Sequence, residues 1–408
     1  MIDQLHKTLE TYYPEMVELR RTLHQHPELS FEEEQTPAMI ADYLEKLGVE
    51  VKRNVGGRGV VGYIRGAKPG KTVALRADFD ALPIQEETGL PFASETPGVM
   101  HACGHDGHTA TLLVVAKVLM ENQQNLEGTV VLIHQFAEEL APGGAIAMIS
   151  DGCLEGVDAI FGTHLWSTMP LGEIGYRRDA IMAAADRFEI DFKGRGGHGA
   201  SPHETVDAIA VGTSVVQNLQ HIVSRNVDPL KSAVLSVGSF HAGGAFNVIA
   251  DSAKIVGTVR TFETDVQDMM FERMEQVTKG VCDAMGATYD FLYKKGYPAV
   301  INDPFETDRF VGTATKLQGE DLVKEMAPVM GGEDFAYYLQ HVPGTFFFTG
   351  AGNVEKGIVY PHHHPKFDFD ESAMLVAAKL LLSVALDFLS DKNSSLLKTQ
   401  SKEADATS

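Results

Sequence analysis

Thr129-Val130-Val131-Leu132-Ile133-His134-Gln135-Phe136-Ala137-Glu138-Glu139 is the stretch on which the fold turns. Its first eight residues are mostly β-branched or apolar and contain no turn residue, so they read as a buried strand. Two adjacent carboxylates follow, and then Pro142-Gly143-Gly144, a turn signal. On a regular strand, neighbouring side chains face opposite ways. Past the strand end that restriction lapses, and Glu138 and Glu139 are free to divide two tasks at one site. Taken alone, a solvated acidic loop explains the pair as well.

Working outward, the same arrangement repeats. Upstream, Thr72–Ala77 is a short apolar strand that runs into Asp78-Phe79-Asp80-Ala81-Leu82-Pro83. Carboxylates at i and i+2 point the same way if extended geometry continues, which suits an acid that orients a ligand histidine. Downstream, Asp158–Thr163 is a strand with His164 at its end. Further on, a strand over Thr345–Thr349 precedes Tyr360-Pro361-His362-His363-His364-Pro365. Between the first two strands lies His101-Ala102-Cys103-Gly104-His105-Asp106-Gly107-His108, with an apolar helical segment over Thr109–Met120 after it. Soft and borderline ligands at this density suit a Zn²⁺-type ion. Chemistry-bearing residues gathered at the carboxyl ends of strands in an alternating β/α region are the mark of an open α/β sheet, whose ligands bind at that edge.

The ends of the chain fit this plan. Residues 3–25 and 35–47 read as amphipathic helices, with His24 and His26 as a polar helix end closed by Pro27. Ala373–Leu389 is the most apolar run, but Lys379 and Asp387 interrupt it and it reads as a buried helix. Residues 391–408 are polar and are expected to be disordered. From about Asp186 the texture changes to strand, helix, strand, strand, helix, strand, a small α+β sandwich. The expected organisation is therefore an α/β domain with a mostly parallel sheet over 1–180 and 297–390, interrupted by an inserted α+β domain over 181–296.

A formal net charge of -22 argues against nucleic acid or an anionic membrane as partner. Three cysteines in 408 residues make no disulfide framework, and the first ten residues carry no signal-peptide pattern, so the cytoplasm is the expected compartment. Neither a nucleophile elbow nor an HExxH helix is present. The Gly194–Gly199 loop lacks the context of a phosphate-binding loop. What remains is a candidate set of Cys103, His105, Glu138, Glu139, His164 and His363. It suits two divalent ions sharing a water, with a carboxylate beside that water as general base and then acid to a leaving amine.

Five motifs, Leu75–Pro83, His101–His108, Ala137–Glu139, Gly162–His164 and His362–Pro365, resemble the M20 metallopeptidase family in order and spacing. The likeness is to its amidohydrolase branch: aminoacylases, hippurate hydrolases and hydrolases of auxin–amino-acid conjugates. That resemblance implies hydrolysis of N-acyl-L-amino acids and two divalent ions, Zn²⁺ first, with Mn²⁺ or Co²⁺ as alternatives. It implies Cys103, His105, Glu139, His164 and His363 as ligands, with Cys103 in the bridging position. Glu138 is then the general base and Asp80 the orienting acid. Asp78 stands where other branches carry a ligand histidine. The insert corresponds to a lid and dimerisation domain, implying a homodimer. There His198 matches an oxyanion-stabilising residue, of its own or a partner subunit's site, and Asn247 and Arg260 match candidates for the substrate carboxylate. Alternative readings are a dipeptidase, an N-acetyl-diaminopimelate deacetylase, or a non-catalytic metal-dependent binding protein.

Overall fold

A computed structural model of the chain describes residues 2–391, which form two compact units. The first takes in residues up to Asp179, Ile301–Ala327 and the chain from Tyr337 onward. Its eight-stranded sheet has the order Glu50–Val55, Gly59–Arg65, Glu127–Gln135, Lys68–Asp78, Ala159–Pro170, Gly344–Gly352, Ile174–Tyr176, Val323–Glu325. The three central pairings are parallel, and antiparallel strands flank them on both sides. The chain is thus an α/β protein with a mostly parallel sheet. The central strands are apolar because they are covered: Val73, Ala74, Leu75 and Val130–Ile133 are buried.

The helix His105–Glu121 is apolar on nearly every side, and it is buried almost throughout. It packs against the sheet, against Ile2–Gln25, and against Ser372–Ser390. By length and composition alone, Ser372–Ser390 is apolar enough to cross a membrane. Here 72% of its most apolar window is buried inside the protein, which is the behaviour of a core helix.

The second unit comprises Ala180–Val300 together with Pro328–Ala336. The later segment was expected to belong with the α/β domain. Backbone bonds tie it to the insert instead: Val329 N donates to Ile181 O (2.9 Å), and Ala183 N to Val329 O (3.1 Å). The unit's antiparallel sheet runs Ala233–Ala242, Ser252–Thr261, Ala184–Lys193, Thr288–Tyr297. Phe188, Ile190 and Phe192 alternate onto one face. They meet Val211, Val215 and Leu219 of the helix Ala208–Arg225 and Met270 and Met274 of Thr264–Met285.

Sequence patterning misses the two strands between residues 50 and 65 and the helix Pro304–Gln318. It also starts the helix after the histidine cluster too late. The expected tail lies, beyond Asp391, outside the described residues.

Candidate metal centre

The first unit brings five strand ends and loops to one place. Gly104, at φ 95°, turns the chain into the helix His105–Glu121, so His105 sits in the first helical turn rather than on a preceding loop. His164 lies inside a strand that continues to Pro170, not at a strand end as its sequence suggests. Pairing with Lys68–Asp78 nevertheless stops at Arg76 opposite Gly162. His164 therefore stands two residues beyond the last rung on that side.

Several overlapping groups of donors result. Ligand atoms of Cys103, His105 and His164 lie within 4.8 Å of one another, and so do those of Cys103, Glu139 and His363. A third group joins His105, Glu138 and Glu139. Cys103 belongs to the first two groups, and its Sγ is 3.3 Å from His164 Nε2. His363 Nε2 is 3.2 Å from Glu139 Oε1. One thiol is thus common to two of the candidate triads. The donor set of thiol, imidazole and carboxylate fits borderline divalent cations. His105 Nε2 is buried with no hydrogen-bond partner, as a nitrogen reserved for a cation should be.

The layer behind fixes these donors. His105 Nδ1 donates to the backbone carbonyl of Asp80 (2.9 Å) and faces its Oδ1 at 3.3 Å. Asp80 Oδ2 accepts from the Glu139 amide (2.9 Å) and from Ser30 Oγ (2.7 Å). One acid thereby orients two ligands. Asp78, instead of facing outward, accepts from Arg76 Nη1 (2.6 Å) and His108 Nδ1 (2.6 Å). His108 Nε2 in turn accepts from Leu165 N (2.9 Å). Both of its nitrogens are occupied, which makes it a brace. His362 Nε2 donates to Leu165 O (2.9 Å) while His363 faces Glu139.

The charge balance suits cations. Burial disfavours the His105 imidazolium, but Asp78, Asp80 and Glu139 outweigh it and push the pKa up to about 10. The hydrogen bond to Glu139 also raises His363. Burial pushes the His164 pKa well down and the Cys103 thiol well up.

Beneath the site the sequence is misleading. His24 is no solvated helix end. It is fully buried, with Nδ1 2.8 Å from Asp106 Oδ2. Arg20, also fully buried, reaches Asp106 (2.8 Å), Asp368 (2.9 Å) and Glu371 (3.2 Å). The polar face of the first helix hides this from periodicity, since a charged residue there looks solvated.

The remaining candidates lie in the second unit. His198 is exposed and pairs in register with Val248, and Gly199 N donates to Asn247 O (2.8 Å). His198 and Asn247 therefore share one edge. Arg260 does not join them. It pairs with Ala185, eight positions along its strand from the Ser252–Lys193 rung, roughly 26 Å at 3.3 Å per residue.

With this geometry in hand, the chain was compared with known proteins. The model of peptidase family M20/M25/M40 matches residues 74–387. The Bacillus subtilis protein YhaA is 58% identical over 94% of this chain and 97% of its own length. The N-acyl-L-amino acid amidohydrolase of Geobacillus stearothermophilus is 48% identical over 74% of this chain and 81% of its own. Among solved structures, Bacillus subtilis YXEP, described as a dinuclear metal binding peptidase, is 37% identical. It superposes with a TM-score of 0.81 over 93% of this chain and 99% of its own.

Proposed function

The chain belongs to the M20/M25/M40 peptidase family, a family of hydrolytic metalloenzymes, and on that premise we propose that it hydrolyses the amide bond of N-acyl-L-amino acids. The products are a carboxylic acid and a free amino acid. Cys103, His105, Glu139, His164 and His363 would hold two divalent ions, with Zn²⁺ the first choice over Mn²⁺ or Co²⁺.

The observation that carries this reading is the pairing of Glu138 with Glu139. Both carboxylates stand within 4.8 Å of His105, although the two ligand triads use only Glu139. A module that merely bound metal would have no task for the second acid. When bound, the ions supply a water acidic enough to ionise near neutrality and a Lewis acid for the scissile carbonyl. Glu138 takes the proton of the attacking water and passes it to the departing amine. Asp80 keeps the His105 ring and the Glu139 backbone in place. His198 is the candidate for the oxyanion, in its own or a partner subunit's site, and Asn247 for the substrate carboxylate; Arg260, expected to share that task, lies too far along its strand to act beside Asn247 in one chain. A homodimer in the cytoplasm, taking a small substrate, completes the proposal.

Glu138→Gln tests it. The variant should keep two equivalents of metal and lose roughly 10²–10⁴-fold in turnover of acetyl- and benzoyl-amino acids. Unchanged turnover would remove Glu138 from the mechanism. If the wild type ignores every N-acyl-amino acid but cleaves dipeptides or N-acetyl-diaminopimelate, the substrate class moves to those.

A further inference from the structure

The loop that bears Glu138 and Glu139 is held in an unfavourable shape. Ala137 has φ 52°, a left-handed conformation that is unfavourable for an L-residue with a Cβ. The loop closes on itself where Gly144 N donates to Ala137 O (3.1 Å). A Cβ on Gly144 would meet Phe136 O at 2.0 Å, so the closure leaves no room for a side chain. A strained loop of this kind keeps its shape only when its surroundings over-determine it.

Two acids perform that task. On one side, the Glu139 amide donates to Asp80 Oδ2. On the other, the Ala137 amide donates to Glu33 Oε1 at 2.9 Å. Glu138 lies between these two anchored amides. Both anchors trace back to one short segment, for Ser30 Oγ donates to Asp80 Oδ2 and Glu33 follows three residues later. Phe31 packs edge-on against Phe136, with centroids 5.9 Å apart and planes at 78°.

Glu33 is in the middle of Phe31-Glu32-Glu33-Glu34, which reads as a solvated acidic run, yet its side chain is fully buried. Its Oε2 has no hydrogen-bond partner, and the nearest cation, Arg58 Nε, is 4.0 Å away. Burial, with Asp80 adding to it, pushes the Glu33 pKa up to about 8. A carboxyl group kept in such a place without a close ion pair has one visible task, the bond to Ala137.

We propose that Glu33 is a positioning residue for the reaction: through the Ala137 amide it fixes the backbone that aims Glu138 at the water and Glu139 at its ion. The inference rests on the roles assigned to Glu138 and Glu139 above. It needs an acceptor at this position rather than a charge, so glutamine should serve and a side chain with no acceptor should not.

The experiment compares wild type with Glu33→Ala, Glu33→Met and Glu33→Gln, all checked by circular dichroism at the assay temperature. Zinc affinity is read by chelator competition, separately from kcat and KM on an N-acyl-amino acid at saturating metal. Glu33→Ala should weaken binding of at least one ion about tenfold or more and lower kcat by roughly 10–100-fold, with KM little changed. Glu33→Gln should recover most of both. Glu33→Met fills the volume without an acceptor and replaces the alanine variant should that fail to fold. A folded variant without an acceptor that binds both ions and turns over like wild type overturns the proposal, even if its Tm is lower. So does a glutamine variant as impaired as the alanine one. If Glu138→Gln were fully active while Glu33→Ala still lost zinc affinity, the catalytic assignment would fail and the support of the loop would stand.

Discussion

Replacing Asp80 by asparagine probes the centre at a residue that contacts two candidate ligands, His105 and Glu139. Asp80 Oδ2 accepts from Ser30 Oγ and from the Glu139 amide, while Oδ1 faces His105 Nδ1 at 3.3 Å. In Asp80→Asn the amide oxygen inherits the two donors on the Oδ2 side. The new NH₂ then occupies the Oδ1 position and meets the His105 N–H donor to donor. His105 keeps its 2.9 Å bond to the Asp80 backbone carbonyl, so the ring stays oriented and the fold survives. What disappears is the charge-assisted interaction, about 1.5–3 kcal/mol, and with it the push that makes Nε2 a good ligand. That energy corresponds to roughly 10–100-fold in metal affinity. Chelator competition with Zn²⁺ measures it directly. Activity titrated against free metal should shift by the same factor and largely recover at saturation, because the Glu139 amide remains held. A variant with wild-type zinc affinity would refute the claim that Asp80 acts through His105.

Two further outcomes follow from single residues. Cys103→Ala should cost both ions, whereas His164→Ala or His363→Ala should leave about one equivalent per chain. Elemental analysis after dialysis against buffer reads the difference, and a Cys103→Ala protein retaining one tightly held ion would disprove sharing. Arg20→Ala leaves Asp106 buried without its main partner and should cost about 3–5 kcal/mol in urea denaturation, while a loss under 1 kcal/mol would show the triad to be energetically idle.

The α/β plan was legible because its signals are local. The run Thr129–Phe136 is mostly β-branched or apolar, and the insert alternates as Phe188, Ile190 and Phe192 do. Ligand-bearing residues announced themselves by type: a cysteine and three histidines within eight residues have few structural uses. The supports were illegible for the opposite reason. Glu33 sits in an acidic run, and Arg20 and His24 lie on the polar side of an amphipathic helix. Burial of such groups depends on a partner far along the chain. Arg20 meets Asp368 and Glu371 some 350 residues later, and no periodicity carries that information. The strand Gly59–Arg65 was missed although it is buried, because Gly59 and Gly62 read as loop residues. Both are where Cβ atoms would crowd Met148 and Val49.

Sorting the histidines shows most clearly what geometry adds to composition. Composition alone offers His101, His105, His108, His164, His362 and His363, of which the sequence reading selects His105, His164 and His363. A ligand histidine needs one nitrogen tied to an acceptor, which sets the tautomer, and the other left for the ion. His105 meets this with Nδ1 on Asp80 and Nε2 unpartnered, and His164 with Nδ1 donating to Leu165 O (2.8 Å) and Nε2 facing Cys103. His108 fails, since it spends both nitrogens bracing Asp78 against Leu165. His362 ties Nε2 to the same Leu165 carbonyl that accepts from His164, but among the described residues it joins no group of converging donors. His101 has neither nitrogen bonded, and burial lowers its pKa to about 4, which marks a neutral ring packed as an apolar group. His363 alone of the triple-histidine run turns toward Glu139, through a left-handed backbone at φ 65° anchored by its amide to Ala102 O (2.8 Å). That anchor ties His363, the candidate donor furthest along the chain, to the residue beside Cys103.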